Sequence, residues 1–216
     1  LIVAMDIAES LKKDCVPNKP VKQDIPEVLD LLFKTCENMQ NVIDGFLNTE
    51  SFGIGIVDSK RQAPLNSVVS KSIQNNTEYA KKKGITLKQE LSDDLPEIEL
   101  DEFRITQVLD NLIGNAMKFS PRDTTTTVRT LTDGEFVYAE VSDGGPGLTE
   151  EDMKKLFQRH ARLSNRPTGG ESSTGVGLSL SKQLIEQHNG VIGARNNSTR
   201  GATFWIKLPV KALQPN

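Results

Sequence analysis

Between Asp101 and Phe119 the chain reads DEFRITQVLDNLIGNAMKF. Ile105, Val108, Leu109, Leu112, Ile113 and Ala116 recur at the spacing that puts them on one face of a helix. A helix with a single apolar stripe gains little by forming alone in water and must lay that stripe on a second layer. The residues that follow suggest what the layer is. TTTTVRTLTD (124–133) and EFVYAEVSD (135–143) alternate and are rich in β-branched and aromatic residues, with Asp133-Gly134 between them. They predict two antiparallel strands joined by a tight turn. ITLKQEL (85–91), Val191–Asn196 and ATFWIKLPV (202–210) read as further strands. Two more helices are predicted, Leu65–Lys82, opened by Pro64 and ended by Gly84, and Val176–Gln187. The polar stretch 148–174 reads as a mobile loop with a short helix near Glu150–Phe157. The expected fold is α+β: a two-layer sandwich with helices on one face of a mixed, mostly antiparallel sheet.

The first quarter of the chain has a different pattern. Residues 1–14 and about 25–48 are amphipathic and helical, separated by VPNKP with its two prolines. This predicts a helical hairpin over residues 1–50 ahead of a domain over residues 51–216, with FGIGIVDSK (52–60) as a possible strand. One hairpin buries little surface. Pairing with a second copy into a four-helix bundle would supply a core, and packing on the following domain is the alternative. The chain has 216 residues and a net charge of -3. That balance points to no nucleic-acid partner, and an anionic ligand would need local positive potential from a metal ion, a lysine or a helix start. Cys15 and Cys36 form no metal or disulfide pattern, as expected in a reducing compartment. There is no apolar run long enough to span a membrane and no signal peptide, so this segment is expected to be cytoplasmic and to make no direct membrane contact. A chain that starts at Leu1 rather than Met reads as part of a longer protein, whose remainder could be membrane-anchored.

Three segments carry chemistry. Asn111 and Asn115 lie four apart on the long helix, so their amides share a face, where two neutral oxygens suit a partly hydrated Mg2+ that also touches phosphate. Lys118 and Phe119, further along, can reach a phosphate and pack on a ring. Asp143-Gly144-Gly145-Pro146-Gly147 ends a strand; its glycines let backbone approach a planar ligand, and Asp143 can accept from an exocyclic amine. Gly175-Val176-Gly177-Leu178 enters a helix whose free N–H groups suit phosphate. It is no P-loop, because GxxxxGK[ST] is absent. Each segment alone is also compatible with ordinary structure: a structural Asn pair four apart on a helix, a surface turn, a glycine-rich helix start.

In order and spacing the segments are far more specific. NLIGNAMKFS, VSDGGPGL, LFQRHARLSNRPTGGESSTGVGLSLSKQLIEQHNG and GATFWIKLP closely resemble the catalytic and ATP-binding domain of sensor histidine kinases, over about residues 60–210. The superfamily also includes gyrase-type topoisomerases, a heat-shock chaperone and a mismatch-repair ATPase. The resemblance implies a histidine kinase of a two-component system, with ATP and Mg2+ as cofactors. It implies that Asn111 and Asn115 hold Mg2+ and phosphates, that Lys118 contacts phosphate, and that Asp143 reads the adenine amine. Gly145 and Gly147 would shape the base pocket, Phe157 would lie in a lid over the phosphates, and Gly175 and Gly177 would end that lid. Phe119, Leu148, Val176, Leu178 and Thr203 complete the expected ATP-contacting set. The family's usual Asp-Asn-Gly is Asp143-Gly144-Gly145 in this chain, which loses one side chain.

The hairpin resembles the family's dimerisation and phosphoacceptor domain, implying a homodimer and a response-regulator partner. The family's acceptor motif, a His and an acidic residue followed by roughly Leu-Arg-Thr-Pro-Leu, is missing except for Leu1 as its possible last residue. His160 falls in the lid region, and His188 reads as a helix-end residue favoured by the dipole. The expected reaction is transfer of the ATP γ-phosphoryl group to a histidine outside this chain, so this chain is expected to bind Mg-ATP without phosphorylating itself. Two alternatives remain. A water-activating ATPase would use a Glu on the long helix, which has none after Glu102. A signalling module with a vestigial site would bind no nucleotide.

Overall fold

The computed structural model describes residues 60–159, 161, 163–168 and 175–211. The predicted hairpin, both cysteines, His160 and most of the predicted 52–60 strand lie outside them. The described elements run β1 (Arg61–Ala63), α1 (Leu65–Lys83), β2 (Thr86–Glu90), β3 (Ile98–Leu100), α2 (Glu102–Phe119), β4 (Thr125–Thr132), β5 (Phe136–Ser142), α3 (Glu150–Lys155), α4 (Gly177–Glu186), β6 (Val191–Asn196) and β7 (Ala202–Pro209).

Local chemistry sets the helix ends. Pro64 precedes α1 in an extended conformation, and Gly84 closes it at φ 67°, donating to the Ala80 and Lys81 carbonyls. Lys81, Lys82 and Lys83 in the last turn suit the negative end of the helix dipole. The Asp101 side chain caps α2 by accepting from the Arg104 N–H at 3.1 Å. Thr149 and Asp152 form a reciprocal capping box on α3.

The main sheet has the order β2-β4-β5-β7-β6. β2 and β4 are parallel, and every other neighbouring pair is antiparallel. The parallel pair needs a crossover, supplied by β3 and α2. Alternate residues of the central strands point to the core: Val137, Ala139 and Val141 from β5 are fully buried, as are Ile206 and Leu208 from β7 or nearly so. The predicted stripe of α2 meets them, with Ile105, Val108, Leu109, Leu112 and Ile113 all fully buried. α1 and α4 flank α2 in the helical layer. The predicted layers are therefore present, and the predicted boundaries agree within about two residues. The small antiparallel pair β1–β3, in which Ala63 faces Ile98, was not foreseen. Strands of three residues are too short to show a period of two.

His188 corrects one expectation. It is 4% exposed, its Nδ1 lies 2.7 Å from the Leu184 carbonyl oxygen, and its Nε2 accepts from the Asp101 N–H at 3.0 Å. That pattern requires the neutral ring protonated on Nδ1. Burial also holds its pKa below the ordinary value. The ring is a neutral bridge between the end of α4 and the start of α2, not a cation at a helix dipole.

Candidate nucleotide-binding site

Helix α2 is the floor of the site. Asn111 and Phe119 lie eight residues apart on it, about 12 Å at 1.5 Å per residue. One end meets the glycine turn after β5, and the other meets the start of α4.

At the first end, Asp143 is 8% exposed, and its Oδ1 accepts from the Gly145 N–H at 2.8 Å and the Ala202 N–H at 3.1 Å. Burial raises its pKa, opposed by those two amides. Among the described residues nothing hydrogen-bonds Oδ2, which leaves one acceptor on a fixed carboxyl. A side chain on Gly145 would put Cβ 2.9 Å from Asp143 Oδ1 and 3.1 Å from the Phe119 carbonyl oxygen, so this glycine brings Phe119, Asp143 and the turn together. Thr203 is buried on β7; its Oγ1 donates to Asn197 Oδ1 at 2.6 Å and meets Ser142 Oγ at 3.1 Å. Gly147, at φ 81°, and Leu148 follow in the same turn.

At the other end, Asn111 faces α4. Its Nδ2 donates to Ser181 Oγ at 2.9 Å, and its Oδ1 accepts from Asn115 Nδ2 at 3.4 Å. A Cβ on Gly177 would fall 2.4 Å from Asn111 Oδ1, so only glycine lets the start of α4 approach this closely. Gly175 has φ 70°. The two segments that the sequence separates by some sixty positions are therefore in direct contact. Lys118 lies near the end of α2, and its carbonyl accepts from the Thr168 N–H at 3.0 Å, tying residues 163–168 to the helix. Leu148, Phe157 and Leu178 are partly buried against the core. Phe157 lies just past α3, on a different segment from those that carry Asp143 and the asparagines.

Several residues that build the site escaped sequence reasoning. Asn196 makes a reciprocal pair with Leu148, at 2.8 Å in both directions, copying a strand ladder with its side chain. Asn165 Nδ2 donates to the Gly147 carbonyl at 2.6 Å. Asn197 Nδ2 donates to the Asp143 and Arg200 carbonyls and to Ser142 Oγ. Asp152 is fully buried and holds Ser164 through both its N–H and its hydroxyl. The adjacent Asn196 and Asn197 before the last strand are the one signal the sequence offered.

The donor set fits a magnesium nucleotide. A buried carboxyl with a free oxygen suits an exocyclic amine, the glycine turn admits a planar base, and the neutral amides suit a cation that brings its own phosphate and water. Among the described residues no group of three or more His, Cys, Asp or Glu is placed to hold a metal, so phosphate and water would complete the shell. A hollow of about 480 Å³ beside α3, lined by Thr149, Glu150, Glu151, Asp152, Lys155, Leu163 and Ser164, contains none of the predicted residues. Its carboxylates repel a triphosphate.

Comparison with known proteins agrees with the geometry. The family described as histidine kinase-, DNA gyrase B- and HSP90-like ATPase matches residues 100–212. The sensor histidine kinase WalK of Bacillus subtilis is 36% identical over 119 residues, 54% of this chain and 20% of that protein. The sensor protein KdpD of Clostridium acetobutylicum is 28% identical over 184 residues, 85% of this chain and 20% of that protein. The chain thus spans about a fifth of the length of these two relatives. The solved catalytic domain of the histidine kinase ThkA is 25% identical, with a TM-score of 0.62, covering 70% of this chain and 97% of that one. ThkA in complex with the response regulator protein TrrA, at 20% identity and a TM-score of 0.70, covers 97% of this chain and 60% of that one and shares the fold. With Asp143, the asparagine pair and the glycine segments assembled around α2, the chain belongs to the histidine kinase-, DNA gyrase B- and HSP90-like ATPase family, and its ATP-binding domain is of the sensor histidine kinase kind.

Proposed function

We propose that this chain binds Mg-ATP and presents the γ-phosphoryl group to a histidine that is not one of its own two, for relay to an aspartate of a response regulator in two-component signalling. The buried Asp143 carboxyl carries the reading: Oδ1 is anchored by Gly145 and Ala202, and Oδ2 remains for the adenine amine. Phe119, Gly145, Gly147, Leu148 and Thr203 would enclose the base; Asn111 and Asn115 would hold Mg2+ and phosphate. Lys118, Gly175, Val176, Gly177 and Leu178 would meet the phosphates, with Phe157 in the lid. Bound Mg2+ would neutralise charge on the β- and γ-phosphates. Lys118 and the N–H groups at the start of α4 would supply further positive potential and hold the γ-phosphorus in line with the incoming imidazole.

His188 is a poor acceptor, because both ring nitrogens are engaged in a buried site. Neither His160 nor His188 lies in the hairpin that resembles the phosphoacceptor domain, so the 216-residue chain is expected not to phosphorylate itself. The acceptor would lie in a hairpin such as the one residues 1–50 resemble, through which two copies would pair. A response regulator is supported as partner by the shared fold with the ThkA–TrrA complex. Dependence on ATP points to the cytoplasm, and no helix among the described residues is long and apolar enough to cross a membrane. The hydrolase reading loses further ground. Asp110 accepts from Asn75 and Asn76, and Glu102 pairs with Arg61, so neither α2 carboxylate is free to activate water at the phosphate end.

Calorimetric titration with a non-hydrolysable ATP analogue, with Mg2+ and with EDTA, tests the proposal. Binding that Mg2+ strengthens is the expected result, and absence of heat in both conditions would mark the site as vestigial. Incubation with γ-labelled ATP should leave no acid-labile phosphate on the chain.

A further inference from the structure

We propose that Ser181 is a positioning residue for the metal and phosphate end of this site, an inference that rests on the nucleotide reading above. Ser181 lies on α4 one turn after Gly177 and is 2% exposed. Its Oγ accepts from Asn111 Nδ2 at 2.9 Å, and Asn111 Oδ1 in turn accepts from Asn115 Nδ2 at 3.4 Å. Three side chains on two helices thus form a directed relay. Asn111 makes one hydrogen bond at each polar end, with Gly177 and Ser181 packed against it, and its Oδ1 keeps a second lone pair. Among the described residues no hydrogen bond reaches Asn115 Oδ1, so the relay ends on one uncommitted amide oxygen.

The direction of the relay matters because an amide can seat in two ways that exchange its oxygen and its NH2. With NH2 turned toward the ligand, Asn115 would repel a cation. The orientation of Asn115 is set by the Asn111 oxygen that it meets, and Ser181 fixes where the Asn111 amide sits by accepting from its Nδ2. Packing does not account for a serine at this position. Serine is a poorer helix former than alanine, and a buried hydroxyl is costly unless bonded. Ser179, two residues earlier, bonds differently, its hydroxyl donating to the Val176 carbonyl in the first turn of α4.

The test compares wild type, Ser181→Ala, Ser181→Thr and Ser181→Val in the full 216-residue chain. Calorimetry with a non-hydrolysable ATP analogue, in excess Mg2+ and in EDTA, gives the ratio of the two dissociation constants. Loss of the hydroxyl should lower this Mg2+ enhancement about five- to thirtyfold in Ser181→Ala, with EDTA affinity within about twofold. A merely structural role would lower both affinities together and leave the ratio unchanged. Thr and Val at this position have nearly equal volume and differ in the hydroxyl, so Thr should retain the enhancement and Val should lose it, even if Ala destabilises the fold. Equal ratios in wild type and Ser181→Ala, or in the Thr and Val variants, would overturn the proposal. Absence of nucleotide binding by the wild type would instead refute the underlying reading, and the proposal with it.

Discussion

Asp143→Asn probes the base end of the site at nearly constant shape. Oδ1 of Asp143 accepts from Gly145 and Ala202, and an amide oxygen can accept both bonds, so the turn should persist. The other carboxyl oxygen becomes an NH2 group, which would face the adenine amine donor to donor. A hydrogen bond to a charged group contributes about 1.5–3 kcal/mol, and 1.4 kcal/mol is tenfold in affinity. Affinity for an ATP analogue should therefore fall about 10- to 150-fold. Stability should move the other way. Burial raises the Asp143 pKa in the folded state. A carboxyl shifted in that direction contributes stability below its unfolded pKa and loses it as pH rises through the folded value. At neutral pH the ionised group therefore opposes folding, and Asp143→Asn should raise the melting temperature. The gain should shrink as pH falls toward the ordinary carboxylate value of 3.8. A GTP analogue, whose 6-oxo group accepts where adenine donates, should lose less affinity than the ATP analogue, or gain. Calorimetry with both analogues and melting curves across pH measure all of this. An ATP-analogue affinity within twofold of wild type would refute the role given to Asp143.

Two further outcomes follow from the geometry around the site. Gly201 sits at φ 87°, and a Cβ there would lie 2.0 Å from the Asp143 carbonyl oxygen. Gly201→Ala should cost at least about 2 kcal/mol in urea unfolding, from left-handed strain and a backbone clash, and a loss below about 0.5 kcal/mol would contradict the packing described. The neutral His188 has a pKa lowered first by burial, then by Lys60 and Arg104, against the raising effects of the Leu184 carbonyl and Asp101. Its stabilising effect is complete above the unfolded value near 6.5 and is lost as pH falls through the lower folded value. His188→Gln should therefore flatten the decline of melting temperature as pH falls below about 6.5, and an unchanged slope would show that His188 does not carry it.

By itself, the sequence determined everything that depends on short-range periodicity and on residues with one conformational use. The α2 stripe, the β4–β5 hairpin at Asp133-Gly134 and the α1 stop at Gly84 each follow from side-chain spacing or backbone freedom within a few residues. The candidate site residues are legible only as types suited to a chemistry, a carboxyl for an amine, amides for a hydrated cation and glycines where backbone must come close, and the ATP-contacting set as a whole rests on the family resemblance. Tertiary structure alone decided how those residues share their hydrogen bonds. Asn111 alone reads as a structural amide or a metal ligand, and only α4 shows that Gly177 and Ser181 lie against it. His188 reads as a helix-end cation until Asp101, 87 positions away, supplies the N–H that makes it neutral. Asn196 carries no sign of its partner in the sequence, yet it pairs with Leu148 across 48 positions as another strand would. Such partners are chosen by sheet order and helix packing, and a polar side chain has no intrinsic preference among donors until the fold sets one beside it.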